Sequence, residues 1–455
     1  MPRRAFNGRH ARALVIGLDG VPHTLLQDYV DRGYLPETKR ILDCGFALRR
    51  MDASIPDVSS TSWTSFMTGV NPGEHGIYGF MELEPGSYEM RFPNSADIMA
   101  PTLWEIIGRT SCGKRSTLCD RFGAAVDSPM RSVVLNIPQT YPATAINGVL
   151  TAGFVCPDLR KGTYPDSCYD YLMSIGYVPD VDSARAVEDR DGFIEELFMA
   201  LEKRRKAFEY FFENEEWDLF IGVITETDRL HHFFFDGARD AAHPLHGTFI
   251  SFYRKIDEII GKLFNRFMEL TRGEGLFLTM SDHGFSVVEQ TVNVNAYLSK
   301  EGFLKKDVTR RYFDMIDTGT RAFAMDPSRI YINLECRYPR GSVSEADRTA
   351  VVEELKERLL SINAPDGTPV IRALYEGSEL YSGPHAGDGP DLVALAHEGF
   401  DLKAGLQQDR VFSKGVFKGM HTQNDAHCIM SKGLEAGDGL HIEDLAGLIL
   451  DHLTT

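Results

Sequence analysis

The chain has no Cys-x-x-Cys pair, and its seven cysteines (Cys44, Cys112, Cys119, Cys156, Cys168, Cys336 and Cys428) are odd in number and scattered over 455 residues. That spacing excludes a disulfide framework and a cysteine-built zinc knuckle, and it predicts reduced thiols in a cytoplasmic setting. Long apolar runs are also missing. No segment reaches about 18 uncharged apolar residues, so no membrane span is expected. The apolar stretch Ala13 to Leu18 behind the basic leader (residues 1–11) ends at Asp19 and is too short for a signal-peptide core. Positive charge is in deficit: 48 Lys and Arg stand against 66 Asp and Glu, a formal net charge of -18. Such a balance argues against a surface that tracks a nucleic-acid polymer. An anionic substrate must then be drawn in locally, and bound divalent cations held by clustered carboxylates would do it. Repeats, heptads and low-complexity tracts are lacking too, which removes solenoids and coiled coils from consideration.

What remains is the composition of a globular protein, 43% hydrophobic and 25% charged. Apolar strand-like runs recur at ALVIGL, SVVLNI, DLFIGVIT, GLFLTMSD, RIYINL, DLVALA and AHCIMS. Helical patterns lie between several of them, at Gly192–Glu213, Thr248–Leu270 and Ser344–Leu360, with a last helix near His441–Leu453. HTLLQDYVDRG reads as a further helix closed by Gly33. This alternation predicts an α/β fold: a mainly parallel central sheet with helices on both faces. Two stretches, 156–190 and 305–340, fit the alternation poorly and are expected to be cap insertions within a single domain spanning 12–455.

In open α/β sheets, ligands collect beyond the carboxyl ends of the strands. Asp19, Asp228 and the pair Asp282–His283 stand at such ends, and His421 lies in the loop before AHCIMS. In TDRLHHFFF, Asp228 and His232 are four apart and share a helix face, although His231 at three apart competes. His427 competes with His421 in the same way. Carboxylate and imidazole ligands without thiolates suit zinc or manganese, and seven ligands suit two ions rather than one. The segment IPDVSSTSWTSFMTGVNPGEHGIYGF places Ser59, Ser60 and Thr61 at a predicted helix start, where a hydroxyl meets unpaired backbone N–H groups that also favour a phosphoryl oxygen. Any of the three hydroxyls could be a nucleophile or a plain helix cap.

The order of these features resembles the alkaline phosphatase superfamily: GLDG, a hydroxyl nine residues before Thr68–Gly69 in MTGVNPGEHGI, Asp-x-x-x-His, SDHG and a late Gly-x-His. Within it, the chain is most similar to the type I phosphodiesterase/nucleotide pyrophosphatase branch and its cytosolic phosphohydrolases and phosphomutases. NIPQTYPA at 136–143 and the Pro-Asp-Leu of GPDLVALA add to the likeness. The resemblance implies Ser59 as nucleophile. It implies one metal at Asp19, Asp282 and His283 and a second at Asp228, His232 and His421, with Ser59 bridging to the reacting phosphorus. It selects His232 over His231 and His421 over His427. Where nucleotide pyrophosphatases carry Thr-Phe-Pro-Asn, this chain has Ser59-Ser60-Thr61-Ser62, so Ser60 and Ser62 become the candidate substrate-binding residues. Thr61 and Trp63 replace the Pro and Arg of the sulfatase motif and argue against a sulfatase. The function implied is two-metal hydrolysis of a small phosphate ester through a phospho-serine, with a phosphomutase or a non-catalytic metal-dependent binding protein as alternatives.

Overall fold

The computed structural model describes residues 11–110, 113–122, 126, 128–432 and 439–455. The basic leader assigned to 1–11 therefore lies outside the described residues, save Ala11. At the centre is an eight-stranded sheet in the order Phe46–Met51, Ala426–Ser431, Leu276–Met280, Ala13–Leu18, Leu219–Ile224, Ser132–Ile137, Gly148–Ala152 and Thr163–Tyr164. Ala13–Leu18 pairs in parallel with Leu219–Ile224 on one side and Leu276–Met280 on the other. All six of its residues are buried, because both faces of the sheet are covered.

The alternation of side chains along that strand divides the core in two. Leu14, Ile16 and Leu18 enter one apolar cluster with Phe208, Phe211, Phe252 and Ile256. Those partners come from the helices Arg190–Asn214 and His246–Thr271. Ala13 and Val15 point to the other face, against Trp63, Phe66, Leu445 and Ile449. A run without polar positions is thus what a strand sandwiched between two helix layers requires. Each large side chain so buried contributes about 1.5–3 kcal/mol.

Three of the expected strands are placed differently from the parallel pattern. AHCIMS belongs to the central sheet but runs antiparallel to both neighbours, Phe46–Met51 and Leu276–Met280. The RIYINL and DLVALA runs leave the central sheet altogether. Arg329–Ile332 and Leu392–Ala396 join Ala322–Met325 and Ile371–Glu376 in a separate four-stranded antiparallel sheet. Its own core contains Phe323, Ile330, Val352, Leu355 and Leu392. Only Asp326, Pro327 and Ser328 separate Ala322–Met325 from Arg329–Ile332, and a parallel crossover needs a dozen residues or more. A ten-residue strand, Gly284–Asn293, leads from the central sheet toward this second one. The predicted helices stand within a few residues of their expected limits: Arg190–Asn214, His246–Thr271, Arg348–Leu360 and Asp444–Thr454. Among the described residues, no helix is long and apolar enough to cross a membrane.

Candidate metal and phosphoryl site

The three central parallel strands end side by side, and their chain continuations supply the acidic groups. Asp19 follows the strand Ala13–Leu18, Asp282 and His283 follow Leu276–Met280, and Asp228 lies in the helix Glu226–Phe234 that follows Leu219–Ile224. Neighbouring strands lie about 4.8 Å apart, so groups remote in sequence converge on one rim. The turn after Asp19 depends on Gly20, whose φ is +66° and whose N–H donates to Asp282 Oδ1 at 3.0 Å. A Cβ there would sit 2.6 Å from the ring of Phe285. Asp19 is fixed further by the Trp63 indole N–H, which donates to Oδ2 at 3.1 Å, and by the Thr227 hydroxyl, which donates to its carbonyl at 2.6 Å.

Ser59 opens the helix Ser59–Thr68 behind an extended Val58. Its Oγ lies 3.3 Å from Asp19 Oδ1 and 3.2 Å from His283 Nε2. Ser60, Thr61 and Ser62 are buried, and their hydroxyls have no hydrogen-bond partner among the described residues. The Ser62 N–H is already taken by the Val58 carbonyl.

The imidazoles are oriented by their other nitrogen. His283 Nδ1 faces the Gly284 carbonyl at 3.0 Å, and His421 Nδ1 faces the Asp57 carbonyl at 2.8 Å. Each Nδ1 therefore carries the proton, and the neutral ring turns the Nε2 lone pair into the site. There His421 Nε2 meets His232 Nε2 at 3.0 Å and Asp228 Oδ1 at 3.4 Å, while His232 Nε2 is 3.3 Å from Asp228 Oδ1. His283 Nε2 lies 3.3 Å from Asp282 Oδ2 and 4.0 Å from Asp228 Oδ1. Four ligands arranged tetrahedrally at 2.0–2.1 Å stand about 3.3 Å from one another, which is the spacing found here. Asp228 Oδ1 and Asp282 Oδ2 are buried and accept no hydrogen bond among the described residues. Such orphaned carboxylate oxygens, facing imidazole lone pairs, fit a cation. Two groups have ligand atoms within 4.8 Å of one another: Asp19 with Asp282 and His283, and Asp228 with His283 and His421.

The field is uneven across the rim. Burial, reinforced by the Asp282 and Asp228 carboxylates, holds the Asp19 carboxyl well above the usual range. Burial acts the same way on Asp228, but His232 and Arg229 outweigh it and hold that carboxyl well below the usual range. Burial lowers His283. Like charges crowded out of water in this way call for positive charge between them.

The structure thus brings Asp19, Ser59, Asp228, His232, Asp282, His283 and His421 together. The competing histidines lie elsewhere. His231 Nδ1 bonds the Gly20 carbonyl at 2.9 Å and Nε2 the Tyr253 hydroxyl at 2.8 Å, and burial lowers its pKa to about 3. His427 Nδ1 bonds the Val21 carbonyl at 2.9 Å, with a pKa lowered by burial to about 4. His385 lines a different cleft, beside Tyr78 and Tyr338.

Several contributors carry no sequence signal strong enough to single them out. Trp63 is one. Arg229 is another: it donates to Asp228 Oδ2 at 3.2 Å and grips Asp180 through two N–H groups at 3.0 and 2.7 Å. The adjacency of Arg229 to Asp228 is visible in TDRL, but Asp180 is 49 residues away. Phe285 packs its ring against His232, His283 and His421 at centroid distances of 5.0 to 5.6 Å. Beside His232 and His421 opens a cleft of about 500 Å³ that reaches the second sheet.

Among curated proteins, none matches the chain in sequence. Solved structures share its fold. Phosphonoacetate hydrolase from Sinorhizobium meliloti 1021, in complex with phosphonoacetate, is 18% identical, with 100% of both chains covered and a TM-score of 0.63. Wild-type alkaline phosphatase PafA is 13% identical over 100% of this chain and 96% of its own, with a TM-score of 0.57. Murine ectonucleotide pyrophosphatase / phosphodiesterase 5 is 14% identical over 97% of this chain and 95% of its own, with a TM-score of 0.52. At these identities the likeness carries the alkaline-phosphatase-like fold. The family model for type I phosphodiesterase / nucleotide pyrophosphatase, however, matches residues 13–424, from the first strand of the central sheet to just past His421. The chain therefore belongs to the type I phosphodiesterase / nucleotide pyrophosphatase family.

Proposed function

We propose that the protein hydrolyses a small phosphate ester at this site, with two divalent ions and a covalent phospho-serine on Ser59. The observation that carries the reading is the position of Ser59 Oγ, 3.3 Å from Asp19 Oδ1 and 3.2 Å from His283 Nε2. Asp19, Asp282 and His283 would hold one ion and Asp228, His232 and His421 the other, with His283 near enough to Asp228 to tie the two together. Oxygen and nitrogen donors without thiolate suit zinc, with manganese as the second choice. When bound, the ions lower the pKa of the hydroxyl and offset the charge of the phosphoryl oxygens.

Ser59 Oγ loses its proton to water and attacks phosphorus, forming the Oγ–P bond as the bond to the leaving oxygen breaks and that oxygen takes a proton from water to depart as the alcohol. Water then cleaves the Oγ–P bond, restores the hydroxyl and releases phosphate or the remaining monoester. The Ser60 and Thr61 N–H groups, at the positive end of a ten-residue helix, are placed to donate to a non-bridging oxygen. The Ser60 and Ser62 hydroxyls, buried and without partners, are the side-chain candidates for contact with substrate. The six free cysteines among the described residues support a cytoplasmic setting.

Replacement of Ser59 by alanine tests the reading. Release of free phosphate from an aryl phosphate is expected to fall by at least about a thousandfold while the protein still binds metal. Retention of most of the activity would remove Ser59 from the mechanism.

A further inference from the structure

The cleft beyond the ligand cluster is walled in part by the half-buried rings of Phe80 and Phe417, with the more deeply buried Phe400 lining it as well. Phe80 is half-buried and stacks on Phe154, centroids 5.2 Å apart and planes 8° from parallel. Phe154 is backed by the Arg229 guanidinium at 4.1 Å. Phe92, 56% exposed, meets Phe80 edge-on and extends the same surface outward. Phe417 leans on His232 at 4.9 Å and Phe233 at 5.4 Å. Chemistry at phosphorus requires neither ring, yet both share the cleft with two proposed metal ligands. Rigid, half-exposed aromatic faces gain most by covering a flat or apolar group.

The charges lining the cleft narrow the choice. Four carboxylates (Asp57, Asp326, Glu398 and Asp401) face two cations, Arg372 and Lys403. Lys403 Nζ is held 3.1 Å from Asp401 Oδ1 and 5.2 Å from the Phe417 ring centre. Outside the ligand cluster, the cleft thus has a surplus of negative charge, which repels a second anionic group.

We infer that the cleft receives the alcohol part of the ester, and that this part is aromatic or bulky and apolar and carries no second anionic group. The assignment rests on the ester-hydrolase reading for its placement of the phosphoryl end. It separates the substrate from nucleoside polyphosphates, whose remaining phosphates would lie among the carboxylates.

A binding experiment on the full chain tests the assignment without relying on turnover. The Ser59→Ala protein, loaded with manganese, is titrated with 1-naphthyl phosphate and with its ring-sulfonated analogue, and naphthyl fluorescence polarisation is read. The sulfonated compound is expected to bind at least about tenfold more weakly. Phe80→Leu and Phe417→Leu, made in the same background, should each weaken 1-naphthyl phosphate by about fivefold while manganese stoichiometry and inorganic phosphate affinity hold. Equal or tighter binding of the sulfonated analogue or of a nucleoside triphosphate would overturn the assignment. So would unchanged naphthyl affinity in both Phe variants. Failure of the unmodified protein to hydrolyse phenyl phosphate would count against the hydrolase reading alone, because binding is read separately.

Discussion

His231 and His232 are adjacent in sequence and serve opposite purposes: His231 Nε2 bonds the Tyr253 hydroxyl in the core, while His232 Nε2 lies 3.0 Å from His421 Nε2 in the ligand cluster. On a helix, successive residues are about 100° apart, so one turn can serve packing and chemistry together. His232→Ala is expected to bind one equivalent of zinc less than the unmodified protein, with little change in unfolding temperature. His231→Ala should keep both equivalents but lose about 1–3 kcal/mol, because the Gly20 carbonyl and the Tyr253 hydroxyl lose their partner. Metal analysis after dialysis, paired with thermal unfolding, separates the two.

Gly20 is the hinge of the first ligand turn. Its positive φ and the 2.6 Å approach of Phe285 leave no place for a methyl group. Gly20→Ala should cost about 2 kcal/mol or more in chemical denaturation and lower metal affinity, since its N–H positions Asp282.

The Arg229–Asp180 pair joins segment 156–190 to a proposed ligand, with side chains only 14% and 20% exposed. Removing Asp180 takes two hydrogen bonds from the buried Arg229 and leaves it the contact to Asp228. Asp180→Ala is expected to destabilise the protein by about 3 kcal/mol in urea titration, whereas an exposed pair such as Arg115–Asp120 should register less than about 1 kcal/mol.

Two of the buried histidines outside the ligand cluster, His75 and His427, help to set an acid limit. Burial lowers His75 to about 3 and His427 to about 4. Unfolding lets each rise to about 6.5, so the unfolded chain binds more protons below that value. Stability from these residues is present above about pH 6.5 and drains as pH falls toward 4, at up to about 2.7 kcal/mol per pH unit for the two together. His75→Asn, whose carbonyl can still accept the Ile77 N–H that now reaches Nδ1, should lower the measured slope by up to about 1.4 kcal/mol per pH unit in urea titrations between pH 6 and 4.5.

Much of the site was legible because strand ends are marked in sequence. An apolar run that stops at Asp19, or at Asp282–His283, declares where a parallel strand leaves the core. The choice between His231 and His232 was not legible from spacing, since i+3 and i+4 both face the same way from Asp228. What decides it is a contact across 22 residues, from His231 to Tyr253. The Asp180–Arg229 grip and the Trp63 bond to Asp19 stayed hidden for the same reason, as side-chain pairings between elements leave no periodic trace. RIYINL and DLVALA read as strands and are strands, but four or five apolar residues do not say which sheet they enter. The three-residue connection before Arg329 was the available clue, because it permits only an antiparallel partner.

The strand Ala426–Ser431 is wedged between Phe46–Met51 and Leu276–Met280, and it follows directly on the short strand Gly419–Thr422 that carries His421. The last ligand and the strand beside it therefore come later in the sequence than every other proposed ligand. A nascent or truncated chain ending before residue 419 has the serine, the first carboxylates and most of the sheet, but an unfinished ligand set. Assembly of the site thus waits on its last segment: a copy cut before residue 419 lacks His421 and should be inert toward phosphate esters.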